Sequence, residues 1–359
     1  MKPSPRIWYG RKRTINGSPY LVPFVYLTEA TIKAQKILES TFSANAANIT
    51  SNTFVVNGAH IDFRHQALLD IKKDFINTKG VISGGQLTIR TGQELQNLSG
   101  TITGNDVTLL ANNLTNSTLV TRLDYGHGFS ESFDQIGSIT SLGDLTVKTA
   151  GDVTSQGGTF SAQGDLEINA QGNIILVPQT IKNQRVESGQ LWSDSESSLV
   201  NLQTKLSAVD TLALLSGGEV YIQGATLESQ GLLEILATHG ITLKSASDMS
   251  SFERKFEAHG GGLFGSTEKS AESKTEANIV RTLLKAGQSM VLTTAQGNIL
   301  LEAVTVDNLG ISRLIAEHGS VDFELAKLMQ TYSYEQSYDG ALAFRHQGHG
   351  IPERSRLLL

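Results

Sequence analysis

Gly143-Asp-Leu-Thr-Val-Lys-Thr-Ala-Gly-Asp-Val153 returns 21 residues later as Gly164-Asp-Leu-Glu-Ile-Asn-Ala-Gln-Gly-Asn-Ile174. Glycine, acid, leucine, β-branched residue, glycine, Asp or Asn and β-branched residue recur in register. A fixed period near 20, with two short alternating strands in each period, is the signature of a solenoid. Apolar side chains two residues apart lie on one face of a strand. The glycines and the Asn or Asp residues between them permit sharp corners. A single coil cannot bury its apolar edge, whereas stacked coils bury it and pair their strand backbones. The form this predicts is a parallel β-helix.

The period extends outward from this pair. Leu87-Thr-Ile89 is followed by Val107-Thr-Leu109, Leu212-Ala-Leu214 by Leu233-Glu-Ile235, and Gly297-Asn-Ile299 by Gly319-Ser-Val321. Leu87, Val107, Leu145, Leu166, Leu212 and Leu233 are therefore expected to line one core, with Ile89, Leu109, Val147, Ile168, Leu214 and Ile235 beside them. Composition agrees: 35 glycines, 6 prolines and only 6% aromatics describe a turn-rich β chain with a thin aliphatic core. A dozen coils at the usual strand spacing would form a rod of roughly 60 Å.

Three stretches break the period and must leave the rod, at about 118–139, 179–209 and 248–287. The third holds Ser250-Ser-Phe-Glu-Arg-Lys-Phe256, then Gly260-Gly-Gly-Leu-Phe-Gly-Ser266 and a charged run to Glu276. Alternation about Phe252 and Ile279 predicts a hairpin with a glycine tip. The competing form is a helix from Glu268 to Leu284. A smaller excursion follows Leu328 and carries Tyr332, Tyr334 and Tyr338. Residues 1–20 form an N-terminal extension with Trp8, Tyr9 and Tyr20, expected to cap the first coil. Residues 21–328 form the rod, and 329–359 an irregular or hairpin segment. Nothing after Leu328 reads as a polar cap, so a sticky C-terminal end is expected.

The net charge of −6, from 29 basic and 35 acidic residues interspersed along the chain, gives no footprint for nucleic acid. The apolar run Leu21 to Leu27 is short and broken by Pro23, so neither a signal peptide nor a membrane span is read. The chain has no cysteine, which suits an exported rod that must thread a narrow pore unlocked.

No catalytic, cofactor or metal constellation emerges. None of the eight histidines forms a recognised ligand motif. His346-Gln-Gly-His349 reads as a solvated loop, and His239 and His318 as turn residues. Asp144, Asp152 and Asp165 are the acids that a β-helical carbohydrate-active enzyme would align, but in a Gly-Asp pattern an aspartate more often shapes a corner. The Asn-x-Ser/Thr triplets at Asn16, Asn48, Asn97, Asn113 and Asn116 read as stacking or corner asparagines.

The Gly-Asp-Leu-Thr-Val coil text, Leu21-Val-Pro-Phe-Val-Tyr-Leu27, and Gly262-Leu-Phe-Gly-Ser266 set before Leu284-Lys-Ala-Gly-Gln-Ser-Met-Val-Leu-Thr-Thr-Ala-Gln-Gly-Asn-Ile299 resemble the haemagglutinin repeats of filamentous-haemagglutinin-type exoproteins of bacterial two-partner secretion. The resemblance runs from about residue 20 onward. It implies a right-handed parallel β-helix serving as the structural and adhesive shaft of a secreted or cell-surface protein, in adhesins or in contact-dependent growth-inhibition effectors. It also implies an outer-membrane transporter as export partner, a C-terminal toxin as cargo, and a host or neighbouring bacterial surface (protein, glycan or membrane) as target. The family's signal peptide, secretion domain and toxin module have no counterpart here, so a fragment is expected. Phe252, Phe256, Leu263 and Phe264, large apolar groups in a solvated excursion, are the candidate partner contact. The competing readings are that enzyme and a spacer with no partner of its own.

Overall fold

A computed structural model describes the backbone of residues 9–15, 18–32, 36–38, 41–260, 266–328, 330–340, 348–349 and 356–357, and the side chains within 41–260, 266–327 and 330–338. Each regular coil contributes three strands. In the coil that starts the quoted repeat these are Ser138–Ser141, Leu145–Thr149 and Val153–Gln156. The next coil answers with Thr159–Ala162, Leu166–Ala170 and Ile174–Val177, each parallel to its counterpart. In the N-terminal coils the first two strands fuse into single long strands such as Val81–Thr91 and Thr101–Ala111. The third face is an 11-stranded sheet, about 50 Å from end to end. This is a parallel β-helix of triangular section.

The repeat places its apolar residues as the sequence predicts. Leu87, Val107, Leu145, Leu166, Leu212 and Leu233 pair coil to coil in register and are at most 1% exposed. Ile89, Leu109, Val147, Ile168, Leu214 and Ile235 form the neighbouring ladder and are fully buried. Each such side chain contributes about 1.5–3 kcal/mol by leaving water. Near the N-terminal end larger groups fill the section, and Phe54 stacks on Phe75 at 6.0 Å between centroids.

The Gly-Asp signature has a coil-to-coil cause. Asp144 Oδ1 accepts the backbone N–H of Asp165 at 2.9 Å, and Asp165 Oδ1 accepts that of Thr211 at 2.9 Å. At the next corner Asp152 Oδ1 accepts the N–H of Asn173 at 2.7 Å, and Asn173 Oδ1 that of Glu219 at 2.9 Å. For Asp144 and Asp152 the residue above is glycine, and a Cβ at Gly164 would collide with Asp144 Oδ1 and one at Gly172 with Asp152 Oδ1, whereas Asp165 makes the same reach beneath Asp210. The Asp therefore turns the corner by bonding to the next coil. Gly164→Ala should displace Asp144 and cost about 1 kcal/mol in urea unfolding. Gly126→Ala, where a Cβ meets nothing within 4 Å, should leave the midpoint unchanged.

The third corner decides whether the chain climbs or leaves. Where it climbs to the next coil, the residue just past the third strand is left-handed, with φ of 62° at Gly58, 53° at Lys79, 51° at Ser99, 61° at Gly157, 51° at Gly224 and 48° at Ala303. The equivalent residues Thr118, Pro178 and Ser245 do not take that turn. Proline has φ locked near −65° and cannot. Here the chain runs outward as antiparallel hairpins: Val120–Tyr125 with Gly128–Phe133, Gln179–Ser188 with Trp192–Leu202, and Ala246–His259 with Ser266–Val280. The third is thus two strands, and Ser266–Val280 stands where a helix was the alternative.

Buried threonines close the hairpin bases. Thr118 Oγ1 donates to Gly157 O at 2.7 Å, Thr204 Oγ1 to Val177 O at 2.6 Å and Thr282 Oγ1 to Lys244 O at 2.5 Å. Lys79, at a left-handed corner, is 2.9 Å from Asp134 at the foot of the first hairpin, and this contact holds the Asp134 carboxyl below the usual carboxylate range. At the C-terminal end of the rod, Val306 and Phe323 occupy inward ladder positions yet are 43% and 74% exposed. Most of the segment 341–359, like the expected cap residue Trp8, lies outside the described residues.

Candidate contact face

From residue 117 on, hairpins leave on alternate coils, with the left-handed corners at Gly157, Gly224 and Ala303 between them. Two strands per hairpin and one hairpin per two coils give the projecting strands the same spacing, about 4.8 Å, as the coils beneath. The hairpins consequently pair with one another. Gly128–Phe133 joins Gln179–Ser188, Trp192–Leu202 joins Ala246–His259, and Ser266–Val280 joins Thr331–Gly340. With Gly348–His349 at its far edge, the result is one eight-stranded antiparallel sheet, a fin standing along the rod.

Register assigns every fin side chain to one of two faces. Phe252 lies opposite Glu196 and Lys274, and Phe256 opposite Trp192 and Ser270, so both phenylalanines share a face. Tyr125, Tyr332, Tyr334 and Tyr338 fall on that same face through the same chain of pairings. The other face is rich in hydroxyls, with Ser197 paired to Ser251 (Oγ to Oγ 2.7 Å) and Ser273 to Ser333 (2.8 Å). Phe129 on this face is covered by the Arg122 guanidinium, 3.6 Å from the ring centroid.

The aromatic face is open. Tyr125, Trp192, Phe256, Tyr332, Tyr334 and Tyr338 are 39–50% exposed, and Phe252 is half-buried between its neighbours. Phe252 and Phe256 therefore neither fold back onto the rod nor disappear into a core. Leu263 and Phe264 lie outside the described residues. Two tyrosines are oriented by hydrogen bonds: Tyr334 OH donates to Gln336 Oε1 at 3.1 Å, Gln336 Nε2 donates to Glu268 Oε1 at 2.8 Å, and Tyr338 OH donates to the same carboxylate at 3.1 Å. The Glu268 bond, with partial burial, raises the Tyr338 pKa above the usual phenol value. A trough between Tyr125 and Phe252 has a polar floor that includes Ser130, Asn183, Arg185 and Glu196.

The sequence singled out Phe252 and Phe256 but not Trp192 or Tyr125. The missing signal was parity across hairpins, which needs the pairing register. Asp144, Asp152 and Asp165, which an enzyme would have to free, have carboxylates bonded along the stack. His318 Nδ1 lies 2.9 Å from Ala295 O at a corner. Among the described residues no group of three or more His, Cys, Asp or Glu is placed to hold a metal, and no helix is long and apolar enough to cross a membrane. His346 lies outside the described residues.

The stacked coils and their corner ladders define a haemagglutinin-type solenoid. The haemagglutinin repeat model matches residues 28–124, 111–176 and 186–249, more than half of the chain, and the chain belongs to that family. It is 26% identical over 266 residues to a tRNA nuclease CdiA of Escherichia coli (strain STEC_O31), covering 69% of this chain and 8% of that one. It is 23% identical over 203 residues to the tRNA nuclease CdiA of Escherichia coli O6:K15:H31 (strain 536 / UPEC), covering 53% and 6%. A Toxin CdiA of Escherichia coli is 26% identical over 168 residues, covering 45% and 5%. The chain thus spans less than a tenth of the curated relatives it matches. No solved structure matches it.

Proposed function

We propose that the chain is a shaft segment of a large secreted or cell-surface bacterial exoprotein, and that its fin is a contact surface for a host or neighbouring bacterial cell. In a full-length protein of this kind an outer-membrane transporter exports the rod and a C-terminal toxin is the cargo it carries outward. The relatives named as nuclease and toxin support this reading of the family.

One observation carries the contact role: seven aromatic side chains, Trp192, Phe252 and Phe256 among them, stand on one face of a fin that buries almost none of them. A passive spacer gains nothing from that arrangement, since exposed aromatic surface costs solubility. Leu263 and Phe264, between Gly260 and Ser266 in the sequence, belong to the same proposed contact.

The test is a triple variant, Trp192→Ser with Phe256→Ser and Tyr332→Ser, applied as labelled protein to bacterial cells. These groups are 44–50% exposed, so the melting temperature should stay within a few degrees of the parent. Cell association should fall to background. Undiminished association by the folded variant would remove the contact role and leave the spacer.

A further inference from the structure

We infer that the aromatic face of the fin binds an extended, uncharged polysaccharide chain laid across the strands, an inference resting on the reading of that face as the contact surface. The strand pairings set Tyr125, Gly128, Arg185, Glu196, Phe252, Lys274 and Tyr332 in one row on seven successive strands. Tyr125 and Phe252 are four strand spacings apart, about 19 Å, and Phe252 and Tyr332 two, about 10 Å. Two strand spacings match the length of two linked pyranose rings in an extended chain. Aromatic platforms at even spacings therefore meet equivalent faces of alternate disaccharides.

The chemistry between the platforms fits the same ligand. A pyranose presents C–H groups on one face, which stack on an aromatic ring, and hydroxyls around its rim. Hydroxyls need both donors and acceptors, and the trough floor offers Asn183 and Ser130, the Arg185 guanidinium and the Glu196 carboxylate. The Glu268–Gln336 network fixes Tyr334 and Tyr338 beside this row, so less side-chain freedom is lost on binding.

Charge excludes the rival surfaces. By register this face carries three cations (Arg185, Arg254, Lys274) against seven carboxylates, including Glu196, Glu268, Glu272 and Glu276. Like charge disfavours acidic polysaccharides and anionic lipid. A lipid surface also calls for contiguous apolar area with basic flanks, whereas here the row of Asp194, Arg254 and Glu272 runs between Phe252 and the Trp192–Phe256 pair.

The experiment is calorimetric titration of the full chain with cellohexaose, the probe for a neutral extended chain. Maltohexaose tests the same sugar wound into a curl, hexagalacturonate tests extension with negative charge, and vesicles of anionic phospholipid test the membrane. Cellohexaose should bind saturably, and cellotriose, too short to span the row, about tenfold more weakly. Phe252→Ala should weaken cellohexaose about tenfold, Phe252→Trp should restore it, and Phe129→Ala on the opposite face should leave it unchanged. If Phe252→Ala lowers the melting temperature, Tyr332→Ala, at a 48% exposed site, replaces it with the same expected loss. Absence of cellohexaose binding, binding unaffected by both aromatic variants, or preference for hexagalacturonate or vesicles would overturn the inference. Cell association that depends on the aromatic face, without cellohexaose binding, overturns the saccharide alone and leaves the contact surface standing. Association that survives the loss of those aromatics overturns both.

Discussion

Leu166→Asp should lower the unfolding free energy by about 4 kcal/mol or more, the largest single effect expected in the rod. Leu166 is fully buried, paired in register with Leu145 on the coil before and Leu212 on the coil after. A carboxylate there loses its water, finds an apolar core around it and must bind a proton or force the coils apart. Position rather than residue type is decisive, because the chain already carries an acid one residue further on: Glu167 points outward and lies 3.5 Å from Lys148. Thr146→Asp, at an equivalent outward position, should change stability by no more than about 0.5 kcal/mol. Coils touch mainly their neighbours, so the damage should be local. Limited proteolysis of Leu166→Asp should open first between residues 140 and 215; an unchanged unfolding midpoint would contradict the buried ladder.

Asn97→Ala should cost about 3 kcal/mol, because it breaks a buried chain of amides rather than one contact. Asn77 Nδ2 donates to Asn97 Oδ1 at 2.9 Å, and Asn97 Nδ2 donates to Asn116 Oδ1 at 2.9 Å. All three side chains are fully buried, and Asn97 also donates to Gly100 O at 2.9 Å. Removing the middle rung orphans a donor on one side and an acceptor on the other. Past Ser155, which follows Asn116, the same ladder position is apolar at Leu176, Ile222 and Leu243, and Val56 precedes Asn77 in register. Replacing Asn77, Asn97 and Asn116 together with valine should therefore cost clearly less than the three single changes added, since no amide is left unpaired. Thermal melts of the singles and the triple read this directly; strict additivity would mean the amides do not act as a chain.

The repeat made the rod legible because its information is local and repeated. Gly-Asp-Leu encodes a corner and an inward residue, and it recurs with a period that only stacking explains. What stayed hidden was non-local. Nothing in Trp192-Ser-Asp-Ser195 announces that it will lie beside Phe252 to Phe256, since the two are joined only after each hairpin has left its own coil. The turn that releases them is equally subtle, because Thr118, Pro178 and Ser245 stand where Gly58, Gly157 and Gly224 turn left-handed. Only Pro178 carries the reason in its own chemistry. The contact face was visible as Phe252 and Phe256, whereas its extent to Tyr125 and Tyr332 needed the register of five strand pairings beyond the third hairpin's own. The role of Asp144 likewise depended on the coil above, where the missing Cβ of Gly164 admits the carboxylate.

Cysteine pairing tests the fin most directly, on a chain that contains no cysteine of its own. Ser197 and Ser251 lie on different hairpins, directly opposite and on the same face, with hydroxyls 2.7 Å apart. Opposed residues of an antiparallel pair have Cβ atoms about 4.5–5.5 Å apart, close to disulfide reach after a small adjustment. Ser197→Cys with Ser251→Cys should oxidise within one molecule in high yield, and Ser273→Cys with Ser333→Cys should do the same between the third hairpin and the strand Thr331–Gly340. Ser197→Cys with Ser250→Cys, one residue out of register and on opposite faces, should stay reduced. Equal oxidation of the matched and mismatched pairs, or disulfides formed only between molecules, would contradict a single fin of hairpins in register.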